Sequence, residues 1–418
     1  MKNKLTQSIA IVLLLILSLP LRGQVLARMN VKSGNSKRVN TTVNATIRLS
    51  LLPVTDSLQL FEVLRDRSVP TPFQIIGDKL YWIMSGVTAP GNTRKYELRK
   101  ALPEVPSVAM HVTDSNGALV LGKGSRKLLQ YNYSIAEPPA GVDKIYRRSG
   151  FIHPLWAPDG QIITNIHPKG HWHHMGIWNP WTHTSFRGKE TDFWNLHKKE
   201  GTVRFKGLIG KTAGPVICGF KALQEHIAFI DKEETVAMTE EWTVNVFHPG
   251  TDTTRFIWDL SSILNCADTA GITFLQYRYG GGFGLRTTAA WTATNSEVVT
   301  SEGNTRNNAD STRARWIKIT GHTDKGQAGL VIMNHPDDFD APQPVRVWPA
   351  NSERGEIMMN FSPTKMKAWQ LKYGQYYQQA YRVVTFVNDL TKEEVEELWL
   401  DYVRPPEVTV YQQEPPSR

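Results

Sequence analysis

Cysteine is scarce in this sequence, which has only Cys218 and Cys266 among its 418 residues. Two cysteines cannot build a disulfide scaffold or a cysteine-rich metal fold, and the absence of a C-x-x-C pair argues against thiol redox chemistry. In an oxidising compartment the two thiols would be able to pair. The alternative is that they remain two separate buried thiols.

Long runs of one charge are also missing, although the chain carries 48 Lys and Arg against 39 Asp and Glu. The longest basic runs are pairs such as Arg147-Arg148, with acidic residues between them. A nucleic-acid-binding surface needs clustered cations, so nucleic acid is not an expected partner. After the first twenty residues no apolar run reaches the roughly 18 residues of a membrane span, so no integral membrane association is expected after signal cleavage.

The N-terminus has the features of a secretory signal. Two lysines precede an apolar run over residues 9–19, and Val25-Leu26-Ala27 resembles a cleavage site. This pattern predicts a signal peptide over residues 1–27, because a run of about 11 residues is too short to span ~30 Å of hydrocarbon. The protein is therefore expected to be exported, to the periplasm or the cell exterior.

Most of the chain between residues 40 and 390 has the pattern of β-strands. Runs rich in β-branched or aromatic residues alternate with turn signals, and neither βαβ units nor internal repeats appear. The sequence therefore predicts an all-β fold, with a large antiparallel β-sandwich over residues 108–404. Two prolines within residues 102–108 separate it from a small N-terminal β module over residues 41–101. The clearest strands are 79–83, 118–121, 202–205, 235–246, 329–333 and 381–387.

One helix is expected near the C-terminus. Thr391 and Glu394 fit a capping box, and an apolar stripe that includes Trp399 follows at helical spacing. Trp399 is expected to pack the helix on a sheet. Pro405-Pro406 ends the pattern, so residues 405–418 are predicted to be a polar tail.

Histidine and tryptophan are concentrated in one segment. Residues 153–197 hold seven of the twelve His and five of the thirteen Trp, several times more than an even distribution would place there. The densest part reads GHWHHMG over residues 170–176. Ligand pockets combine aromatic walls with a few polar groups, so this segment is the candidate site.

The stretch over residues 171–174 allows several interpretations. If it is extended, His171 and His173 face one side of the strand, and Trp172 and His174 face the other. Two histidines at this spacing can chelate a divalent metal ion, act as acid and base, or bind sugar hydroxyls beside a stacked Trp. A structural histidine network that closes a loop is the fourth interpretation. No cofactor is required, and a metal ion at His171 and His173 stays an open alternative.

Carboxylates are scarce beside these histidines. Asp192 is the strongest candidate, because it lies in the sequence DFWN next to two aromatic residues. A carboxylate there can orient a histidine, bind a hydroxyl, or titrate with a raised pKa if it is buried. Farther along, Glu240 and Glu241 are expected on opposite faces of one strand, and which of them faces the interior is left open.

A glycine-rich stretch, QYRYGGGFGLR over residues 276–286, is also distinctive. Its glycines indicate a bulge or a close approach of the backbone to another group. Arg278 and Arg286 lie at its two ends and could pair with an anionic group of a substrate. The alternative is a bulged strand that carries exposed arginines.

Together these motifs resemble the PmoA-like family of secreted bacterial proteins. The resemblance runs over residues 50–404, and its motifs are YRRSGFIHPL at 146–155, PDG at 158–160, HWHHMG at 171–176 and DFW at 192–194, with GGGFGLR, NHP and AYR farther along. His173, His174 and Asp192 match the family pattern. Gly170 and Met175 depart from it, because the family often has Asp and Arg at these positions.

The resemblance implies a secreted all-β protein of polysaccharide-using bacteria, with the β-supersandwich of galactose-mutarotase-like proteins. The leading hypothesis is an exported carbohydrate-active enzyme, a lyase, hydrolase or epimerase, in which His173, His174 and Asp192 are catalytic. A carbohydrate or another small molecule would be bound by His153, His171, Trp172, Trp178, Trp194, Arg278 and Arg286. The alternatives are a non-catalytic glycan-binding protein and an enzyme that uses a histidine-bound metal.

Overall fold

The computed structural model describes residues 24–52, 58–100 and 109–412. In these ranges the chain folds into five antiparallel sheets, with one α-helix, α1 (Lys392–Val403), and short 3-10 turns at Leu49–Leu51, Lys144–Tyr146 and Leu196–Lys198. The predicted all-β sandwich with one C-terminal helix is therefore confirmed. None of the helices in the described ranges is long and apolar enough to cross a membrane.

The first fourteen strands lie between Val25 and Thr191, which is inside the histidine-rich segment. They are β1 (Val25–Lys32), β2 (Arg38–Thr46), β3 (Leu58–Val63), β4 (Ser68–Thr71), β5 (Phe73–Ile76), β6 (Lys79–Thr88), β7 (Thr93–Lys100), β8 (Met110–Ser115), β9 (Ala118–Lys123), β10 (Arg126–Asn132), β11 (Phe151–Leu155), β12 (Ile177–Trp178), β13 (Thr184–Phe186) and β14 (Lys189–Thr191).

The next fourteen strands complete the sheets. They are β15 (Gly201–Thr212), β16 (Ile217–Ile230), β17 (Glu233–Phe247), β18 (Arg255–Cys266), β19 (Ile272–Phe274), β20 (Gly284–Arg286), β21 (Ser296–Thr300), β22 (Trp316–Thr323), β23 (Gly326–Asn334), β24 (Val345–Val347), β25 (Met358–Phe361), β26 (Trp369–Leu371), β27 (Tyr376–Val387) and β28 (Glu407–Gln412). All six of the clearest predicted strands lie within these elements.

Two eight-stranded sheets form the main sandwich. Their strand orders are β24-β25-β20-β12-β11-β10-β9-β8 and β15-β16-β17-β18-β27-β23-β22-β21, and a four-stranded sheet, β14-β13-β19-β26, adds a smaller layer. Strand β18 alternates between buried and half-buried residues, which places Phe256, Trp258 and Leu260 in the core. That core contains side chains from both eight-stranded sheets, as expected for a sandwich.

The N-terminal module has a core of its own. It consists of a five-stranded sheet, β28-β1-β7-β3-β4, and a three-stranded sheet, β2-β6-β5. Met29, Leu60, Trp82 and Leu98 are buried between them. The module begins at β1, earlier than the predicted residue 41. The predicted boundary over residues 102–108 lies outside the described residues.

Residues 407–412, within the predicted polar tail over 405–418, form a β-strand instead. Strand β28 pairs with β1 along its whole length and packs Val408 and Val410 against the core of the N-terminal module. The alternation of valine with polar residues in EVTVYQ is typical of a half-buried strand, and the prediction overlooked it because the run is short. Residues 413–418 lie outside the described part of the chain.

The predicted signal peptide falls mostly outside the described residues, which begin at residue 24. The proposed cleavage sequence Val25-Leu26-Ala27 forms the first residues of β1, where Ala27 is buried and paired with Leu98. The signal peptide stays a prediction, and cleavage before residue 25 would leave β1 complete. Cys218 and Cys266 are both buried free thiols, so they do not pair with each other.

Helix α1 has the predicted capping box. The Thr391 hydroxyl accepts a hydrogen bond from the Glu394 backbone N–H at 3.2 Å, and the Glu394 carboxylate accepts one from the Thr391 N–H at 3.0 Å. Val395 and Leu398 are buried on the second eight-stranded sheet, on the face opposite the main core. Trp399 packs beside them, which confirms its predicted role.

Replacing Thr391 by Ala is expected to lower the free energy of unfolding by about 1 kcal/mol, because the N-terminal N–H groups of α1 lose their acceptor. Chemical denaturation of the purified protein would measure the change. Thr391→Ser retains the hydroxyl and should remain close to the wild type. Equal losses in the two variants would contradict the capping role.

Candidate functional site

The candidate site lies at one end of the strands of the first eight-stranded sheet, not at an edge strand. Strands β12 and β25 begin there, and β20 and β24 end there, because neighbours in an antiparallel sheet run in opposite directions. The Arg286 N–H donates to the Gly176 carbonyl at 2.8 Å, and the Trp348 N–H donates to the Met358 carbonyl at 3.1 Å. The loops before β12 and after β24 therefore meet at this end.

The loop before β12 carries the histidines and is closed as a hairpin by the bridge between Ile166 and Met175. Gly176 follows directly, with φ at +68°, and a Cβ there would lie 2.4 Å from the Ile152 carbonyl oxygen. Only glycine fits this close approach of two backbones. The spacing between the loop and β11 is thus set by the sequence MG at the start of β12.

Inside the hairpin the backbone turns twice instead of running straight. The His171 N–H donates to the Pro168 carbonyl, the His174 N–H donates to the His171 carbonyl, and Gly170 has φ at +82°. The segment is therefore not extended, and the arrangement that an extended strand would give, with His174 on the opposite face from His171 and His173, does not occur. The tight turns bring three imidazoles together that an extended strand would have separated.

The rings of His171, His173 and His174 form one cluster. The ring centroids of His173 and His174 are 4.6 Å apart, and those of His171 and His174 are 5.1 Å apart. One nitrogen from each ring lies within 4.8 Å of the others, so the cluster could hold a metal ion. Nitrogen ligands of one zinc-like ion, with bonds of about 2.1 Å, lie ~3.4 Å apart, so the three rings would have to move closer together to bind it.

Tryptophans enclose the cluster. Trp178 and Trp194 lie against His174 with ring centroids at 5.4 and 5.6 Å and nearly parallel planes. Both are buried, so they are not the sugar-stacking surfaces that the sequence predicted, but walls around the imidazole. Trp348 covers His171 at 4.8 Å. Trp178, Trp194 and Trp348 thus form three aromatic walls around the histidine rings, which we call the aromatic box.

Burial in the aromatic box lowers the pKa of two of the clustered histidines. Burial, together with repulsion from His171 and His197, lowers the pKa of His173 to about 3. Burial also lowers the pKa of His174 well below its ordinary value. Both imidazoles are neutral at physiological pH, and a group with such a low pKa is a weak general base. This argues against the predicted acid–base roles and suits metal binding, which needs neutral imidazole.

A family profile described as "Family of unknown function (DUF6807)" matches residues 118–400. The chain belongs to the DUF6807 family. The matched region begins with β9 and ends in α1, so it contains the whole histidine cluster and none of the strands of the N-terminal module. No curated protein sequence matches the chain.

Two solved structures resemble the DUF6807 chain in fold. One is an alpha-mannosidase from Enterococcus faecalis V583, with 9% identity and a TM-score of 0.46 over 93% of this chain and 46% of that chain. The other is a protein in the glycosyl hydrolase family 38 from Enterococcus faecalis, with 8% identity and a TM-score of 0.44 over 94% and 48%. The chain thus spans about half the length of these proteins. The likeness does not extend to substrate or reaction.

Two further histidines of this DUF6807 protein, His153 and His167, form hydrogen bonds within the protein. His153, predicted to bind substrate, lies on β11 with its Nδ1 2.9 Å from the Thr164 hydroxyl, and burial lowers its pKa to about 4. His167 donates from Nδ1 to the Trp172 carbonyl at 2.6 Å and so braces the hairpin. The Trp172 side chain is half-buried, and its ring makes no aromatic contact with the described residues.

Asp192, predicted from the sequence to be catalytic, has both carboxylate oxygens occupied by donors of the protein itself. Its Oδ1 accepts the backbone N–H groups of Trp194 and Asn195 at 2.9 and 2.8 Å. Its Oδ2 accepts the Thr182 hydroxyl at 2.6 Å and lies 3.0 Å from Lys198 Nζ. Because the group is fully buried and both oxygens are occupied, it positions Trp194 in the wall of the box.

Asp192→Asn is expected to cost about 2 kcal/mol of stability at pH 7, the usual size for hydrogen bonds to a charged group. Burial alone would raise the pKa of Asp192, but hydrogen bonds from Thr182, Asn195 and Lys198 outweigh it and lower the pKa. The folded pKa is thus below the unfolded value of about 3.9, so the stabilisation is complete above pH ~5 and is lost as the pH falls through the folded pKa.

Urea denaturation at several pH values from 7 down to 3 would measure the difference between this variant and the wild type. The difference should shrink as the pH falls, because the wild-type carboxylate becomes protonated. Glu190→Gln, at an exposed carboxylate 2.9 Å from His183 Nδ1, serves as the control and should change stability little. A loss that is the same at every pH would contradict the electrostatic role of Asp192.

The two predicted substrate arginines occupy different environments. Arg286, at the end of β20, is buried, paired with Glu356, and has its guanidinium 4.9 Å from the Trp348 ring. Arg278 is exposed and lies over the Tyr279 ring at 5.2 Å. Arg286 therefore packs under Trp348 in the wall of the box and shares the Glu356 carboxylate with Arg354, whereas Arg278 remains at the surface.

Sequence reasoning missed the contribution of the loop after β24. This loop supplies Trp348 and also Glu353, whose Oε1 lies 3.3 Å from His171 Nε2. Buried Arg306 holds the loop by donating to backbone carbonyls, including that of Gly355 at 2.7 Å. His171 and Glu353 are 182 positions apart, so their contact leaves no local pattern in the sequence.

Proposed function

We propose that this protein is an exported carbohydrate-active enzyme that works with a divalent transition-metal ion bound by His171, His173 and His174. One observation carries the proposal: a ring nitrogen from each of the three imidazoles lies within 4.8 Å of the other two. Imidazole nitrogen is a preferred ligand of zinc, copper, nickel and iron. The reaction classes proposed are elimination, hydrolysis and epimerisation of a sugar.

The surroundings of the histidines support a metal ion. His174 Nδ1 is buried and has no hydrogen-bond partner in the described part of the chain, which is costly unless another group satisfies it. The low pKa of His173 and of His174 keeps both rings unprotonated, as ligands must be. Glu353 supplies a carboxylate oxygen next to His171, so a nitrogen and oxygen ligand set is within reach.

The solvent-exposed side of the cluster is consistent with access by a small hydroxyl-bearing substrate. His171 and Glu353 are the members that solvent reaches, with 24% and 57% of their side chains exposed. Half-buried Trp172 is adjacent in sequence, and its ring contacts no other aromatic ring among the described residues, so it can lie against a sugar face. Buried Trp178 and Trp194 cannot do so, and for this reason glycan binding by stacking alone is not proposed.

A divalent ion at this position would act as a Lewis acid on a sugar oxygen or lower the pKa of a bound water to about 7. The residues of this chain would orient the ligands and exclude bulk water. Trp178 and Trp194 fix the His174 ring between them. Trp348 limits the motion of His171 from the other side.

Metal analysis combined with activity screening tests the proposal. Protein purified without a histidine tag should contain about one divalent ion per chain by elemental analysis. Turnover on a library of sugars and glycan fragments should disappear after dialysis against a chelator and return when the ion is added back. Turnover that survives complete removal of metal would contradict the metal role, and failure on every sugar would contradict the carbohydrate role.

A further inference from the structure

A separate cavity lies beside the segment that follows Asp192. Its volume is about 280 Å³, and its lining comes from the loop before β11, the turn at Leu196 and the start of β15. Phe229, Val203, Leu196 and Ile145 provide apolar wall. None of the three clustered histidines lines it, so it is not part of the proposed metal centre.

The charged residues that line this cavity are all positive. Its lining residues include four cations and neither Asp nor Glu; the cations are Lys144, Arg147, Arg148 and Arg204. Arg147 and Arg204 pair with glutamates at the surface, at 2.5 and 2.8 Å. Within the described ranges, Lys144 and Arg148 have no carboxylate at ion-pair distance. The cavity therefore has positive charge that the protein itself does not neutralise.

Arg148 is the more unusual of these two cations. It is only 2% exposed, and its Nε and Nη1 are buried without a hydrogen-bond partner among the described residues. The carboxylate whose charge acts on Arg148 is that of Glu240. Both Glu240 oxygens are already bonded, to His226 on one side and to Ser262 and Trp242 on the other. A buried guanidinium without an acceptor is costly, so an acceptor from outside the chain is expected.

We infer that this cavity is a binding site for an anionic group, a carboxylate, sulfate or phosphate, held by Arg148 and Lys144. Arginine presents a planar set of donors that matches such groups, and burial strengthens the contact. The apolar wall at Leu196 and Phe229 receives the remainder of the ligand. The inference concerns a different cavity from the histidine cluster and does not depend on a bound metal.

Calorimetric titration tests the site with three anionic probes: sodium sulfate, inorganic phosphate and glucuronate. Glucose is the uncharged comparison. The wild type should bind at least one anion at a single site, and Arg148→Met should weaken that binding about 10-fold or more, the value of a charge-assisted contact. Tighter binding of glucuronate than of both inorganic ions would identify a carboxylate ligand, and the reverse would identify a tetrahedral anion.

Arg204→Gln is the matched control, because this rim arginine is already paired at the surface. Its anion affinity should equal that of the wild type. If Arg148→Met does not fold, Lys144→Gln decides the question, since this exposed lysine can be replaced without disturbing the core and should lose affinity about threefold. No saturable binding of any probe, or unchanged affinity in the decisive variant, would overturn the inference. Metal content should stay the same in Lys144→Gln and Arg204→Gln, so a failure of anion binding in these variants is distinguishable from a failure of the metal proposal. Arg148 acts electrostatically on His173, so the metal content of Arg148→Met is not used for this comparison.

Discussion

The double replacement His171→Ala and His173→Ala is expected to abolish stoichiometric metal binding. Two of the three imidazoles are then gone, and His174 alone cannot hold an ion in competition with water. The affinity for zinc should fall by about 100-fold or more, given that even outer partners of metal ligands are worth about 10–100-fold. Elemental analysis and a competition titration against a chromogenic chelator would measure it.

The control for this prediction is His183→Ala. His183 is also half-buried and near a carboxylate, with Nδ1 2.9 Å from Glu190, but it lies on a different loop. Its replacement should leave the metal content unchanged. The double variant should unfold within about 1 kcal/mol of wild-type protein that has been stripped of metal, because neither replaced ring is fully buried. Full metal binding by the double variant would exclude these ligands.

The largest loss of stability is expected from Glu240→Ala, at about 3–5 kcal/mol. Glu240 lies in the interior between the two sheets, with its carboxylate 2.7 Å from His226 and 2.6 Å from both Ser262 and Trp242. Asn179 donates to the same carboxylate. Removing it leaves four buried polar groups without their acceptor. Urea or guanidinium denaturation would measure the loss.

The adjacent glutamate provides a matched control. Glu241 lies on the opposite face of β17, half-exposed, and pairs with Lys221 at 2.8 Å. A solvent-accessible pair of this kind contributes about 0–1 kcal/mol, so Glu241→Ala should change stability little. Similar losses in the two variants would show that the buried network contributes no more than a surface ion pair.

These two glutamates show what a strand pattern can and cannot predict. The period of two residues in β17 places neighbours on opposite faces, and this part of the prediction was correct. Which face is the interior depends on the partner sheet, and strand sequence alone does not identify it. The contact between Glu240 and Asn179 joins residues 61 positions apart, so it leaves no local signal.

In the glycine-rich stretch over residues 276–286, the local sequence did predict a tertiary feature. The sequence predicted a close approach, and a Cβ on Gly281 would lie 1.9 Å from the Trp181 ring. The roles of Arg278 and Arg286 were not separable from sequence, because both follow the same pattern. In the folded protein Arg286 is buried under the Trp348 ring, whereas Arg278 is exposed.

The sequence by itself determined the all-β class, the capped C-terminal helix and the position of the candidate site, because each depends on spacing or composition within a short segment. Only the tertiary structure decided the chemistry of the site. Turns in the hairpin brought His171, His173 and His174 together, and the distant loop after β24 added Trp348 and Glu353. Burial, which is a property of the packed molecule, then keeps His173 and His174 neutral and makes them better ligands than bases.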